Sequence, residues 1–344
     1  MNSTNATKSG LAEIISSFSR EPICGSKLTF SLEVCLSSTV IMSMVASVTV
    51  VGNFLLLLTI YLNYGHLSRT PSTLLIANLG FSDLLVGLLV GFPVAVRDAY
   101  RYYGTGQKEI TEIIGVFIGL TMFVNGSSTI ALSVDRYIAV SDPMRYRLRV
   151  TRKRIKISVI LVWISSALLC CLKFTGIGQK VYVNIYLHTH ATIPIFVLTA
   201  VCIKMIQALK RHRLDMQNQG NSSFQKRREM ERERKMAKTV FIILALFYLN
   251  LLPAYITLHL MHLYRGSNFE LRSIFRQVDF IATRFLFVNS AIDPFVYAWR
   301  IPKYRQGFMK IMSFVKHRTK TETISERNEV VATDEELAVQ DTYL

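Results

Sequence analysis

Asp83 is the only charged residue in the apolar stretch Thr70–Val96, and Asp135-Arg136-Tyr137 closes another, Ile113–Val134. A carboxyl group in such surroundings is either neutral or partnered, because burial disfavours its charged form. Arg136 has no neutral form to retreat to, so it requires an acid or water, and Asp135 beside it is one candidate. Four histidines form a second chemical grouping, His188 and His190 two apart, His259 and His262 three apart. Spacing of three puts the second pair on one side of a helix, whereas spacing of two turns only one of the first pair inward. Imidazoles gathered in this way can bind zinc or titrate near neutral pH; more ordinarily they line a pocket as hydrogen-bond partners. The five cysteines show no zinc-like clustering.

The elements that must hold these groups are set by composition. Of 344 residues 51% are apolar and 18% charged, and mean hydropathy is +0.32. A soluble domain spends about a quarter of its residues on charge, and a disordered chain carries far fewer apolar ones. Crossing a hydrocarbon core of about 30 Å takes roughly 20 apolar residues of helix. Besides the two stretches above, Val34–Ser68, Ile157–Leu172, Val181–Ile203 and Thr239–Tyr264 are free of Asp, Glu, Lys and Arg. Gln277–Trp299 is equally long and holds Asp279, Arg284 and Asp293. The short fourth stretch is extended by Lys173, which can snorkel to the interface. The expected fold is an all-α membrane protein, a seven-transmembrane helix bundle over 38–300. An extracellular tail over 1–37 precedes it; an amphipathic surface helix over 301–316 and a disordered cytoplasmic tail over 317–344 follow.

Orientation is read from the connectors. Ser141–Lys156 carries seven basic residues against Asp142, and Lys204–Lys238 eleven against Asp215, Glu229, Glu231 and Glu233. Basic connectors stay in the cytoplasm, so the N-terminus is expected outside and the localisation is a multi-pass plasma-membrane protein. The +17 net charge is accordingly read as topology and lipid contact, with no nucleic-acid partner. The first 37 residues lack a basic–apolar–cleavage pattern, so no removable signal peptide is expected. Asn2-Ser3-Thr4 and Asn5-Ala6-Thr7 are glycosylation acceptors on the outer side.

One anchor falls in each span: Asn53 after Gly52, Asp83 within Asn78-Leu79-Gly80-Phe81-Ser82-Asp83, Asp135-Arg136-Tyr137, Trp163, Pro194, Phe247 with Pro253, and Asp293-Pro294-Phe295-Val296-Tyr297. Their order resembles the rhodopsin-like (class A) G-protein-coupled receptors from Gly52 to about Phe308. The resemblance implies a receptor that passes an extracellular ligand signal to a heterotrimeric G protein, and no enzyme. It implies a polar pocket of Asn53, Asp83, Asn125, Asn289, Ser290 and Asp293 that holds a sodium ion. Asp293 stands where the family more often has Asn, so this pocket has two carboxylates, which either bind a cation more strongly or share a proton. The alternative is a neutral hydrogen-bonded network that fixes helix packing. Glu233 falls where the family places an acid that pairs with Arg136 and closes the inactive state; it also alternates with Arg232 and Arg234 as a solvated helical face would. Pro253, Pro294 and Tyr297 complete the implied activation switch.

The departures narrow the ligand. Ile118 occupies the position of the acid that pairs amine ligands, and Phe287 that of the retinal-bearing lysine, so a small non-aminergic ligand is expected. The implied pocket walls are Ile118, Met122, His190, Tyr255, Leu258, His259, Asp279, Thr283 and Phe287, mostly apolar with a few polar points. Leu251 replaces the usual aromatic toggle and Cys202 a tyrosine of the fifth span. The usual outer disulfide lacks its cysteine near Thr111, and Cys24 and Cys35 can join each other instead. These features resemble the melanocortin, cannabinoid, lysophospholipid and adenosine receptor group. After Trp299, Tyr304, Phe308, Ile311, Met312 and Val315 share one side of a basic helix suited to the inner leaflet. The Thr/Ser-rich tail is phosphorylatable, as arrestin partners require, and Thr342-Tyr343-Leu344 resembles a PDZ-domain ligand. A seven-span transporter or channel, and a receptor with atypical or constitutive signalling, are the alternatives.

Overall fold

The computed structural model describes residues 32–62, 70–103, 108–218, 224–264, 269–301, 304–311 and 313, apart from some side chains within these ranges. Seven long helices follow one another: α1 Leu32–Leu62, α2 Pro71–Tyr102, α3 Lys108–Ser141, α4 Arg152–Cys171, α5 Gln179–Leu187 continuing through Ile193–Asn218, α6 Phe224–Leu263 and α7 Phe269–Arg300. A short helix, Pro143–Arg149, links α3 to α4, and residues 304–311 form an eighth helix, α8. Among the described residues α1 to α5 are long and apolar enough to cross a membrane. α6 and α7, of 40 and 32 residues, have ample length at 1.5 Å per residue. They carry charges that a count of apolar residues penalises.

Local chemistry starts and bends these helices. Thr70 is extended and Pro71 opens α2, where its missing N–H costs nothing. Asp142 accepts from the Arg145 N–H and Thr151 from that of Arg154, capping the short helix and α4. Pro194 cannot donate to the preceding turn. The turn before it, His188–Thr192, is a widened π turn, and α5 continues through the proline instead of breaking there. α2 widens likewise at Gly87–Gly91.

α3 runs through the middle, touching α2, α4, α5 and α6, while α7 closes the ring against α6, α1 and α2. Trp163 of α4 donates to Asn78 Oδ1 at 2.9 Å and Asn78 donates to Ser128 of α3 at 2.7 Å, so α2, α3 and α4 share one half-buried polar joint. α1 reaches α2 because Gly87 and Gly91 present no side chain. A methyl group on Gly87 would lie 2.6 Å from Val50 Cγ2 and 3.2 Å from the Ala46 carbonyl oxygen. Gly87→Ala is therefore expected to destabilise the bundle by about 1–3 kcal/mol, read as a shorter thermal half-life of the purified protein. A half-life equal to wild type would mean that α1 and α2 are not so close.

Several boundaries differ from those expected. α1 begins at Leu32, ahead of residue 38. α2 does not end at Val96 but runs on through Arg97, Asp98 and Arg101 to Tyr102. α4 begins at Arg152, five residues before its charge-free stretch. The tail segments with Asn2, Asn5 and Cys24, and the terminal Thr342-Tyr343-Leu344, lie outside the described residues.

Candidate functional site

Three polar clusters occupy different depths of the bundle. At the end where α2 and α7 meet α8 and the short helix, Arg136 is 4% exposed and Asp135 3%. Arg136 donates to Asp135 Oδ2 through Nε at 2.9 Å and Nη2 at 2.5 Å. Ser72, from the first turn of α2, donates to the same oxygen at 2.9 Å and accepts from Arg136 Nη2. Tyr146 of the short helix donates to Asp135 Oδ1 at 2.8 Å and accepts from Arg136 at 3.2 Å. Burial and the Asp135 carboxylate push the Tyr146 hydroxyl up to about 12, so it remains a donor at physiological pH. Of the two partners open to Arg136 in the sequence, Asp135 is thus engaged. The side chain of Glu233 lies outside the described residues. Tyr304 of α8 is buried, bonds to Thr73 and faces Tyr297 at 6.4 Å. Burial pushes its hydroxyl up to about 12, against the opposing pull of Thr73 and Arg136.

The second cluster lies mid-bundle. Asn125 of α3 donates to Asp83 Oδ1 at 2.7 Å and lies 3.4 Å from Ser290 Oγ; Asn53 of α1 donates to the Ser290 carbonyl at 2.9 Å. Asp293 faces Asp83 closely enough for the two charges to interact. Asn53, Asp83, Asn125, Ser290 and Asp293 are all buried, the least so being Asn125 at 8%. Oxygens of Asn53, Asp83, Asn125, Asn289 and Asp293 are buried acceptors without a donor. An unmatched buried polar group costs about 1–3 kcal/mol, so such a concentration fits a cation or water. Oxygen-only donors with two carboxyls suit a hard cation. Gly52 brings α1 against this site, since a methyl there would lie 2.8 Å from Pro294 Cγ.

The third cluster was not expected from the sequence. Asp98 of α2, wholly buried, accepts from Ser38 Oγ at 2.7 Å and Arg284 Nη2 at 2.6 Å on Oδ2. Arg101 and Arg97 address Oδ1 at 3.3 and 3.5 Å. Arg284 also donates to Ser38 at 3.3 Å and lies 4.1 Å over the Phe280 ring. The available signal was Arg284 itself: a guanidinium at membrane depth demands a counter-ion from another helix. The Asp98–Arg101 spacing of three was a second clue.

The expected pocket residues are distributed around this end. Ile118, Met122 and Phe287 belong to one apolar cluster with Met42, Val86 and Val90. Asp279 lies near Arg284, and Thr283 donates to the Asp279 carbonyl. Tyr255 reaches Thr192 across α5 and α6 at 3.1 Å, and His259 lies against its ring. His190 turns towards α3: Nε2 lies 2.9 Å from the Gly119 carbonyl and Nδ1 2.8 Å from that of Tyr186, whose ring it stacks on at 3.9 Å. A cavity of about 10 Å³ beside it is lined by Cys170, Tyr182, Tyr186 and Thr189. His262 lies outside the described side chains, and among the described residues no group of three or more His, Cys, Asp or Glu is arranged to hold a metal. Cys170, Cys171 and Cys202 are free, and Cys35 is disulfide-bonded.

Seven long helices with these clusters match known proteins. The sequence profile of the 7 transmembrane receptor (rhodopsin family) matches residues 52–189 and 178–297. The adenosine receptor A2a of Homo sapiens is 24% identical over 85% of this chain and 73% of its own length. Trace amine-associated receptor 7a of Mus musculus is 28% identical over 78% of this chain and 80% of its own. The crystal structure of squid rhodopsin superposes with a TM-score of 0.72 at 19% identity, over 87% of this chain and 84% of that one. The chain belongs to the rhodopsin family of seven-transmembrane receptors. It is a multi-pass membrane protein of G-protein-coupled receptor type.

Proposed function

We propose that the protein sits in the plasma membrane with its N-terminus outside and couples a small, non-aminergic extracellular ligand to a heterotrimeric G protein. The observation that carries the coupling role is the Asp135–Arg136–Ser72–Tyr146 cluster, which ties α3 to α2 and to the short helix. Arg136 is the element to be released when the intracellular face opens, a bistable contact of the kind signalling uses. The family resemblance makes Glu233 of α6 the proposed second partner of Arg136. Relatives named for trace amines and histamine bind amines by their names; here Ile118 packs in an apolar cluster, which argues against pairing a ligand ammonium. Arg136→Ala is expected to remove the second-messenger response in transfected cells while surface expression persists. A full response from that variant overturns the assignment.

Sodium is the proposed occupant of the mid-bundle cluster, with Asp83 and Asp293 as anionic ligands and Asn53, Asn125, Asn289 and Ser290 supplying neutral oxygens. The bound cation would offset the two buried charges. The thermal midpoint of the purified receptor is expected to rise with sodium chloride relative to N-methylglucamine chloride at equal ionic strength. In Asp83→Asn the rise is expected to vanish; an undiminished rise in that variant rules the site out. Cys24, the remaining cysteine, is the proposed partner of Cys35, α8 is proposed to rest on the inner leaflet, and the tail to engage arrestin and a PDZ-domain protein.

A further inference from the structure

Two neighbouring helices carry a proline inside the bundle, Pro194 in α5 and Pro253 in α6. Each proline removes a backbone hydrogen bond, so each helix can bend there. α6 packs mainly against α7 and α3 and meets α5 only lightly. Among the described residues, the hydrogen bonds that join α5 to α6 come from two tyrosines, one on either side of Pro253. Tyr255 Oη lies 3.1 Å from Thr192 Oγ1, which precedes Pro194. Tyr248 Oη lies 2.7 Å from Thr199 Oγ1 and donates to the Ile195 carbonyl at 2.9 Å, both beyond Pro194. Residues seven apart return to nearly the same face of a helix. The two helices run in opposite directions, so their hydroxyls meet as two rungs roughly 10 Å apart, and the pair of rungs brackets both hinges.

We propose that Tyr248 is a positioning residue for the opening of the intracellular face, the latch of a ladder that makes the Pro194 and Pro253 hinges bend together. The stretch of α6 before Pro253 is the one that swings, and Tyr248 lies on it. The Tyr255–Thr192 rung lies on the other side of both prolines and stays as the pivot. With the latch closed, a bend at Pro253 must carry the inner half of α5 along; with it open, α6 moves alone. The inner rung is built to part and re-form. Thr199 is exposed on the surface that lipid covers, where no water competes for its hydroxyl. It also lies 2.7 Å from the Ile195 carbonyl of its own helix. When the rung parts, Thr199 keeps that carbonyl and only the Tyr248 hydroxyl is left without an acceptor. The inference rests on the coupling role given to Arg136 and adds the contact that restrains α6.

The test is the distance between the inner halves of α5 and α6 in the full-length receptor in nanodiscs, without ligand. Nitroxides are placed at Arg211→Cys and Lys238→Cys, both exposed, in a background carrying Cys171→Ser and Cys202→Ala, and read by pulsed electron resonance. Tyr248→Phe is expected to raise the longer-distance fraction about fivefold, from the loss of two interhelical bonds. Thr199→Val should raise it about twofold, because Tyr248 keeps the Ile195 carbonyl. Combined with Tyr248→Phe it should add nothing, since Thr199 acts through the tyrosine. Thr199→Ser, which keeps the hydroxyl, should restore the wild-type distribution. Thr192→Val, which breaks the outer rung, should lower the thermal midpoint without adding the longer distance. A lowered midpoint in Tyr248→Phe with an unchanged distance distribution would make the rung merely structural and overturn the proposal. Full additivity of Thr199→Val and Tyr248→Phe would overturn it too, as would an equal rise from Thr192→Val. Nucleotide exchange with a G protein on the same preparations separates the two readings. A longer distance in Tyr248→Phe with a full response from Arg136→Ala keeps the latch and sinks the coupling role, whereas the reverse result sinks the latch alone.

Discussion

Asp98→Ala is expected to destabilise the purified receptor by about 3–5 kcal/mol, the cost of removing one partner from a buried ion pair. Asp98 is wholly buried, and its loss leaves Arg284, 13% exposed, without the carboxylate it meets at 2.6 Å. Ser38 loses its acceptor at the same time. The cost is a leftover charge more than a lost attraction, so Asp98→Ala with Arg284→Leu should be less damaging than the sum of the two single changes. A coupling of about 2 kcal/mol is expected from such a double-mutant cycle, measured by chemical unfolding in detergent. Strict additivity would show that the two side chains act independently, contrary to the geometry.

Asp135→Asn is expected to raise ligand-independent nucleotide exchange on the G protein on the order of tenfold. Hydrogen bonds to a charged group contribute about 1.5–3 kcal/mol, and 1.4 kcal/mol is a factor of ten in an equilibrium. Asparagine retains the shape and one acceptor oxygen but not the charge that holds Arg136 through Nε and Nη2. The arrangement gripping Arg136 loses more than one in which the guanidinium has swung away, and the population shifts towards the latter. Tyr146→Phe removes one donor to Asp135 and one acceptor for Arg136. It should act in the same direction and more weakly, near threefold if about 0.7 kcal/mol is lost. Unchanged basal exchange in Asp135→Asn, at matched surface expression, would sink this account.

The helical rods were legible because crossing a membrane is a requirement on length and composition, and both are local. The end of α2 was not. The apolar window stops at Val96, yet the helix continues to Tyr102, because Arg97, Asp98 and Arg101 are neutralised in a cluster completed by Arg284. That residue lies 186 positions away from Asp98, and no local pattern announces it. His190 teaches the same lesson on a smaller scale. The resemblance made it a pocket residue, and only the fold shows its ring nitrogens lying against the carbonyls of Gly119 and Tyr186.

The sequence alone determined that there are seven apolar rods, that basic connectors separate them, and that each carries one polar or proline anchor in a set order. Those follow from the cost of placing charge in hydrocarbon, which every residue meets individually. Only the tertiary structure decided who neutralises whom: Asp135, Ser72 and Tyr146 around Arg136, Asn125 on Asp83, and three arginines around Asp98. Ion pairing depends on distances of a few ångströms between helices far apart in the chain, and helix packing sets those distances.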